Sequence, residues 1–480
     1  MLLKGNYLFS HTLYIDKRVT IKSYHSNRRA TIKDANKESS KCAFTLTEGA
    51  VLRVASIDFE SVGVACMKGP SEIFLDDCIV EHVKGDVVGV STLGRVSISL
   101  LNTSISESVA VVMSSFERNS PDGSSLSIKN CSFINISKMK LVGLSLVQIT
   151  RSVFRGDIGG SSRPLDVLFS KVIEIRYCNF FGQSFNGPIQ VSFSTTITIA
   201  HCNFWNISSQ SYNGYNMWGQ SAIWVDKAKN VKIEDCNFKD IQFKENPGSI
   251  LLSRIEKAVV SHCVFANSSS RDAVGGAMKL ENGFYRTTNY IIHNCVFVNN
   301  FANTKSGYDS GGCGGAIHVH KRLNHKDDIS VRIDHCQFVN NTAQKVGGAI
   351  YAITDDMKPK EFGIQLSISN SVLSYNEASV LGKAVYFKGN KLDLRNISVD
   401  GPEEKTNPHL YLEGEHVKME MIRIKLQRPS SVQSNMALNG LRITSSTLLM
   451  KNLKYLCPIN FNVEVKNMSY APFQGGETEK

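Results

Sequence analysis

The sequence predicts an all-β fold, a single-stranded right-handed parallel β-helix of about a dozen coils. Three observations predict it: a strand-and-corner phrase that recurs along the chain, a column of phenylalanines one coil apart, and corner positions rich in asparagine, aspartate and histidine. Twelve copies of the phrase recur at intervals of 21 to 41 residues. One coil takes roughly twenty-odd residues, and longer intervals indicate loops on one edge.

The recurring phrase consists of alternating apolar residues, two polar residues and then Cys-x-Phe, as in residues 127–133 and 292–297. Alternation with period two is typical of half-buried strands. Because Cys and Phe are two residues apart, both columns point into the core. Parallel strands lie about 4.8 Å apart, so the rings are expected to stack as an internal ladder. The column contains Phe133, Phe154, Phe180, Phe204, Phe238, Phe265, Phe297 and Phe338.

The position before the Cys column is predicted to turn the corner between two strands. Ten of its twelve occupants are Asn, Asp or His, the residue types other than glycine that best tolerate a positive φ. The occupants are Asp77, Asn102, Asn130, Arg151, Tyr177, His201, Asp235, His262, Asn294, His335, Asn370 and Asn396.

A second phrase, Gly-Gly-Ala followed by an apolar residue, lies about halfway between copies of the first. It occurs at 275–278, 314–317 and 347–350, and more loosely at 219–223 and 382–385. The glycines permit a tight or close-packed turn, and the alanine begins another strand. The two phrases together predict several strands per coil.

The Gly-Gly-Ala-Ile tetrapeptide, with Phe-x-x-Asn at 297–300 and 338–341, resembles the polymorphic outer membrane protein repeats of chlamydial surface adhesins. More broadly, the chain resembles the pectin-lyase-like β-helix superfamily. The repeat proper covers residues 219–390 and the looser coil pattern 15–400. The resemblance implies a β-helical, surface-exposed adhesin. The sequence departs from that family in lacking its signal peptide and its C-terminal membrane domain, so export by that route is not implied.

Residues 1–400 are predicted to form the β-helix, and residues 401–480 irregular C-terminal coils and a tail that continue the solenoid. The formal net charge is +11, but the basic residues are not clustered and form no nucleic-acid-binding motif, so no nucleic acid partner is expected. No apolar run reaches the roughly 18 residues of a membrane span. We expect a piece of a larger protein located, by the resemblance, outside the cell or on its surface.

Eight of the twelve cysteines lie in the predicted core column, at Cys78, Cys131, Cys178, Cys202, Cys236, Cys263, Cys295 and Cys336. This placement favours buried thiols over metal ligands or disulfides, since Cys is among the most buried residue types and no Cys-x-x-Cys pair occurs. No cofactor or metal is predicted. Cys42, Cys66, Cys313 and Cys457 lie outside the column, and the pattern does not decide whether they form disulfides or stay free.

Catalysis is not favoured by the acidic residues. Hydrolysis of a polysaccharide needs two carboxylates at one bond. The acidic doublets are Asp76-Asp77 at a predicted corner, and Asp327-Asp328 and Asp355-Asp356 in predicted loops. The sequence therefore favours a non-catalytic surface that binds carbohydrate or a partner protein. The alternatives are a polysaccharide lyase or glycoside hydrolase on the same fold, and a structural spacer of a larger protein.

Two sets of residues are candidates for the binding surface. One position beyond the apolar residue of the glycine phrase lies an outward column that we expect to be exposed, containing Gln190, Trp224, Leu251, Lys279, His318, Tyr351 and Tyr386. All three tryptophans fall in one stretch, which contains Trp205, Tyr212, Tyr215, Trp218 and Trp224. Outward aromatic side chains suit stacking against sugar rings, although the residues before Trp224 could instead fold a loop onto the coil.

Overall fold

In a computed structural model, the chain is all-β. The structure describes residues 1–24, 29–34, 42–84, 86–90, 94–108, 112–114, 123–156, 163–182, 187–208, 221–243, 247–271, 273–282, 288–304, 311–321, 328–354, 363–402, 407–427, 441–451, 454–455 and 462–465. Within these ranges the chain forms 47 strands and no α-helix. No helix capable of crossing a membrane occurs in this described part. The predicted all-β class is confirmed.

The chain divides into two compact units, Met1–Ser209 and Gln210–Lys480. In each unit the strands pair in parallel with the strand one coil earlier and the strand one coil later, which is the pairing of a parallel β-helix. The domain boundary predicted at residue 400 stays a prediction.

The first unit contains three ladders of strands. Ladder A contains Leu2–Leu3, Arg18–Ser23, Val51–Ala55, Ser71–Asp76, Val96–Leu101, Ser125–Lys129, Leu146–Thr150, Val172–Arg176 and Thr196–Ala200. Ladder B contains Asn6–Phe9, Ala30–Asp34, Ile57–Glu60, Ile79–Glu81, Ser104–Ser106, Ser132–Ile134, Val153–Arg155, Asn179–Gly182 and Asn203–Ser208. Ladder C contains Leu13–Ile15, Cys42–Leu46, Gly63–Met67, Val88–Val90, Val112–Ser114, Lys138–Val142, Arg163–Leu168 and Ile189–Ser192.

The second unit has the same three ladders and a short fourth one. Ladder C contains Met278–Glu281, Ile317–Lys321, Ile350–Thr354 and Asn462–Val465; ladder A contains Thr288–His293 and Ile329–Asp334. Ladder B contains Asn237–Phe243, Val264–Ala266, Val296–Val298, Gln337–Val339 and Lys454–Tyr455; the fourth contains Ser269–Arg271, Phe301–Asn303, Thr342–Ala343 and Glu377–Ala378.

Longer strands of the second unit join these ladders without a break. Ile223–Glu234, Ile250–Ser261 and Leu441–Lys451 run from ladder C into ladder A, and Ile364–Ser374 runs from A into B. Val385–Pro402 and Leu410–Gln427 pair along all three ladders. In-register pairing therefore continues beyond residue 400.

The core of each unit is built on the predicted phenylalanine ladder. The eight rings are fully buried. Within each unit, neighbouring rings stack with centroids 4.7 to 4.9 Å apart and interplanar angles of at most 9°. The spacing equals the distance between parallel strands, so the stack follows directly from the register.

The cysteine column lies buried beside this ladder. Burial raises the pKa of the Cys78 and Cys131 thiols to about 11, so both stay protonated at neutral pH and are poor nucleophiles. Cys42 and Cys66, whose state the sequence left open, form a disulfide between neighbouring strands of ladder C. Cys313 is a buried thiol, and Cys457 lies outside the described residues.

The predicted corner column is confirmed by the backbone. All twelve residues, including the two that are not Asn, Asp or His, have φ between 48° and 56°. A second set of left-handed residues, with φ between 46° and 60°, lies near the end of ladder B strands or just after them, and it includes Ser61, His82, Glu107, Asn135, Asn206, Asp240, Asn267, Asn299, Asn340 and Tyr375. Left-handed residues thus turn the chain at both ends of ladder B.

The Phe-x-x-Asn motif forms a buried amide ladder in the second unit. Asn300, Asn341 and Asn376 are at most 1% exposed. The Nδ2 of Asn300 donates to Oδ1 of Asn341 at 2.9 Å, and Nδ2 of Asn341 donates to Oδ1 of Asn376 at 3.0 Å. Each Nδ2 also donates to a phenylalanine carbonyl of the preceding coil. The asparagines therefore tie consecutive coils together where the backbone turns away from its ladder.

The glycine phrase positions ladder C. Its first glycine is left-handed, with φ of 69° at Gly314 and 68° at Gly347. Its second glycine lies against the next coil, because a Cβ on Gly315 would be 2.1 Å from the carbonyl oxygen of Gly348. The turns therefore stack backbone on backbone, and each delivers a ladder C strand in register.

Candidate functional site

One outward row of side chains crosses ladder C of the second unit, and we call it the strip. Adjacent members are register partners on neighbouring strands. The strip contains Trp224, Leu251, Lys279, His318, Tyr351, Tyr386, Tyr411 and Arg442. The structure thus brings together the predicted outward column, except Gln190, and continues it by two residues. Gln190 lies in ladder C of the first unit, opposite Asp166.

Three tyrosines form the open part of the strip. The ring centroids of Tyr351 and Tyr386 are 5.1 Å apart, and those of Tyr386 and Tyr411 are 4.8 Å apart with an interplanar angle of 7°. The Arg442 guanidinium lies 5.4 Å from the Tyr411 centroid. The three rings are half-buried and Arg442 is exposed, so a ligand can reach ring surface and a cation together.

The hydroxyl group of Tyr386 stays protonated at neutral pH. Burial, together with neighbouring Tyr411 and Glu413, raises the pKa of Tyr386 to about 12. A protonated phenol both donates and accepts hydrogen bonds, which suits the hydroxyl groups of a sugar.

The other end of the strip is enclosed. Leu251 is 6% exposed and His318 is 3% exposed, so the prediction of an exposed column was wrong at these two positions. The glycine turns pack onto His318, since a Cβ on Gly275 would lie 3.3 Å from the His318 Cβ. Leu251 is shielded by its larger register neighbours, Trp224 and Lys279.

His318 is a buried neutral imidazole. Burial, and secondarily the positive fields of His320 and Lys279, hold its pKa well below the usual value. Neither ring nitrogen has a hydrogen-bond partner among the described residues. The Tyr351 ring packs against it edge to face, with centroids 4.9 Å apart.

Two buried carboxylates, Glu281 and Asp226, lie two residues beyond strip members on the same strands and on the same face of the sheet. Glu281 accepts the Lys279 ammonium at 2.6 Å. Asp226 binds Arg254 through both Nε and Nη2. A hydrolytic pair needs one carboxyl group to give a proton and the other to attack or activate water. Because each of these carboxylates is held in an ion pair, the arrangement favours binding over hydrolysis.

The described residues of the acidic doublets are bound to groups outside the strip. Asp77 lies at a corner of the first unit, where it pairs with Arg29. Asp328 accepts hydrogen bonds from the Gly363 amide at 2.8 Å and from Gln365. Asp327, Asp355 and Asp356 lie outside the described residues. Within the described ranges, no group of three or more His, Cys, Asp or Glu could hold a metal ion.

The tryptophan stretch is divided between different ladders. Trp205 lies in ladder B of the first unit, stacked on Phe181 with centroids 4.6 Å apart, and Arg155 lies 6.0 Å from the Phe181 centroid. Trp224 lies half-buried in ladder C of the second unit. Tyr212, Tyr215 and Trp218 lie outside the described residues. Trp205 and Trp224 therefore belong to different units, and the role of Trp205 in ligand binding stays a prediction.

Sequence reasoning missed Tyr411 and Arg442. The glycine phrase that located the column is absent before Tyr411, where residues 407–409 read Asn-Pro-His. The remaining signal was the alternation Leu410-Tyr411-Leu412, which places Tyr411 outward between two buried leucines.

A known family of repeats matches one segment of the strip-bearing unit. Residues 335–353 match the Chlamydia polymorphic membrane protein repeat. The matched repeat contains the Phe338 and Asn341 of the buried ladders, the Gly347-Gly348 turn and Tyr351 of the strip. The predicted resemblance is thereby confirmed over this segment. No curated protein sequence matches the chain.

Two solved structures are similar in fold. A mannuronic acid specific polysaccharide lyase of family 6 from human gut microbiota is 13% identical over 95% of this chain and 92% of that chain, with a TM-score of 0.33. The A-module of a mannuronan C-5 epimerase from Azotobacter vinelandii is 9% identical over 96% of this chain and 91% of that chain, with a TM-score of 0.28. At these values neither likeness bears on function.

Proposed function

We propose that the protein is a non-catalytic surface protein that binds carbohydrate along the strip of the second unit. The observation that carries this proposal is the row Tyr351, Tyr386 and Tyr411, three part-exposed rings on adjacent strands that end at Arg442. Rings that repeat at the strand spacing present a flat, extended contact surface rather than an enclosed pocket.

The chemistry of the row suits a sugar chain. Aromatic faces stack on the apolar faces of sugar rings, and the phenol hydroxyls exchange hydrogen bonds with sugar hydroxyls. Lys388 and Glu413 lie two residues beyond Tyr386 and Tyr411 on the same strands and form an ion pair of 3.2 Å, so charged groups flank the tyrosine rings on the same face. Four strands carry the open part of the row, so it spans about 14 Å.

The repeat supports a surface location. Residues 335–353 match the Chlamydia polymorphic membrane protein repeat, and a rigid ladder of strands is suited to presenting a binding face outward. We therefore place the chain outside the cell or on its surface, as part of a larger protein.

Replacing Tyr386 with alanine is expected to weaken binding to the best ligand on a glycan array by about 5- to 30-fold. The physical reason is the loss of the central ring of the row, and a stacking ring contributes about 1–2 kcal/mol. Binding is measured by biolayer interferometry with the glycan immobilised, and melting curves check that the variant is folded.

Tyr14→Ala is the matched control, because Tyr14 is a 72% exposed tyrosine in the first unit. It should bind like the wild type. Equal losses in both variants would contradict the strip as the site. Cleavage of any polymer during the assay would favour the lyase or hydrolase alternative, and an array with no ligand would favour a structural spacer.

A further inference from the structure

We propose that Lys279, His318 and His320 form an anion-binding subsite at the enclosed end of the strip, which accepts a sulfate or carboxylate group of the bound carbohydrate and binds it more tightly as the pH falls. The identity of the ligand as a carbohydrate rests on the function proposed above. The subsite itself rests on the following geometry.

Three basic side chains meet at this end of ladder C. Lys279 is the register partner of His318, and His320 lies two residues further along the same strand and on the same side, with ring centroids 5.7 Å apart. The charged and titratable groups that face His318 are Lys279 and Glu281 from the preceding strand, His320 from its own strand, and Tyr351 from the following strand. Glu281 is bound to Lys279 and is also the register partner of His320, so one carboxylate stands against three basic side chains.

His318 supplies an independent sign of a ligand. Its imidazole is 97% buried, since 3% is exposed, and both ring nitrogens lie without a hydrogen-bond partner in the described part of the chain. Buried polar atoms nearly always have a partner, and an orphaned one needs an explanation. Lys279 and His320 are partly exposed, so an anion can contact them from solvent. The buried His318 imidazole lies next to both of these side chains.

Proton binding and anion binding reinforce each other at such a site. Burial and the fields of His320 and Lys279 lower the pKa of His318 in the free protein. An anion counters those fields and raises that pKa, so the complex binds more protons than the free protein does. By linkage, affinity for the anion must rise as the pH falls toward and below the ordinary histidine range.

The test compares polymers that share one backbone: neutral dextran, carboxymethyl dextran and dextran sulfate. Binding is measured at pH 7.5 and pH 5.0. We expect the preference for the anionic polymers over dextran to rise at least threefold at the lower pH. His318→Phe, which keeps a buried ring but leaves His320 in place, should markedly reduce that rise, and Lys279→Met should lower the preference at both pH values. A response to one anionic polymer alone supports the subsite and identifies its group.

Lys418→Met is the matched control, because Lys418 is a half-buried lysine of ladder A that pairs with Glu420 at 3.4 Å. Lys418→Met should leave the preference for anionic polymers over dextran unchanged at both pH values. The subsite is overturned if the rise is undiminished in His318→Phe, or if Lys418→Met acts like Lys279→Met, since general charge attraction would then account for the binding.

An NMR titration of the His318 imidazole with sodium sulfate separates the subsite from the proposed function. A sulfate-dependent shift, absent in Lys279→Met, supports the subsite even if glycan binding proves insensitive to Tyr386→Ala, a result that would overturn carbohydrate binding on the strip. No shift with sulfate, in a protein whose glycan binding requires Tyr386, overturns the subsite and leaves the proposed function intact.

Discussion

Gly315→Ala is expected to destabilise the second unit by about 3 kcal/mol or more. The added Cβ would lie 2.1 Å from the Gly348 carbonyl oxygen and 2.7 Å from backbone atoms of Thr342. Both are backbone groups of the next coil, so no side chain can rotate away and the coils must separate. Urea unfolding gives the loss of free energy, and hydrogen exchange in Ile317–Lys321 and Ile350–Thr354 shows where it occurs.

Gly89→Ala is the control for this substitution. Gly89 lies in the ladder C strand Val88–Val90 of the first unit, and its nearest obstacle is the Asp86 carboxylate oxygen at 3.3 Å, the end of a flexible side chain. Gly89→Ala should change the free energy of unfolding by no more than about 1 kcal/mol in either direction. If Gly315→Ala behaves like Gly89→Ala, close backbone packing at the turn does not set the coil spacing.

The fold was predictable from the sequence because every coil has the same local structural requirements. A corner that needs a left-handed residue selects Asn, Asp or His each time, and a strand with one buried face selects alternation. Because the corner position occurs twelve times, its preference for Asn, Asp or His is visible despite exceptions. Arg151 and Tyr177 are such exceptions, and they adopt the same φ without having a favoured side chain. The division of the chain at Ser209 has no comparable signal, because no repeated residue marks it.

The glycine phrase illustrates what repetition alone does not reveal. The sequence predicted a turn there, and Gly314 is indeed left-handed. The need for glycine at 315 is different, since it arises from the carbonyl of another coil rather than from its own φ. A contact between segments 33 residues apart is set by stacking, and a single turn's sequence does not encode it.

The strip was predictable in register but not in exposure. Counting from the apolar residue of the turn phrase correctly placed Lys279, Tyr351 and Tyr386 in one row. Whether a row faces water depends on what packs over it, and the turn before His318 covers that residue. Trp205 and Trp224 are close in sequence but lie on strands of different units, and the prediction that both bind ligand stays a prediction.

Asn341→Leu is expected to cost about 3–5 kcal/mol. Leucine has nearly the same shape but removes four hydrogen bonds. The Asn341 Nδ2 donates to the Phe297 carbonyl and to Asn376 Oδ1, both at 3.0 Å, and Oδ1 accepts from the Asn300 backbone amide at 3.1 Å and from its Nδ2 at 2.9 Å. Because the site is fully buried, water cannot replace these partners. The loss is measured by urea unfolding.

Gln337→Leu provides the comparison, since Gln337 is an exposed residue of the neighbouring strand Gln337–Val339, and its effect should lie within about 0.5 kcal/mol. Equal effects of the two substitutions would show that the amide ladder contributes nothing beyond side-chain volume.

Hydrogen exchange in Asn341→Leu shows which amides lose protection and therefore how many coils the substitution destabilises. If only the amides of residues 296–303 and 371–378 lose protection, each coil is held chiefly by its neighbours, as expected of a stack with nearest-neighbour contacts. Loss of protection throughout the second unit would mean that the asparagine ladder couples its coils into one cooperative body.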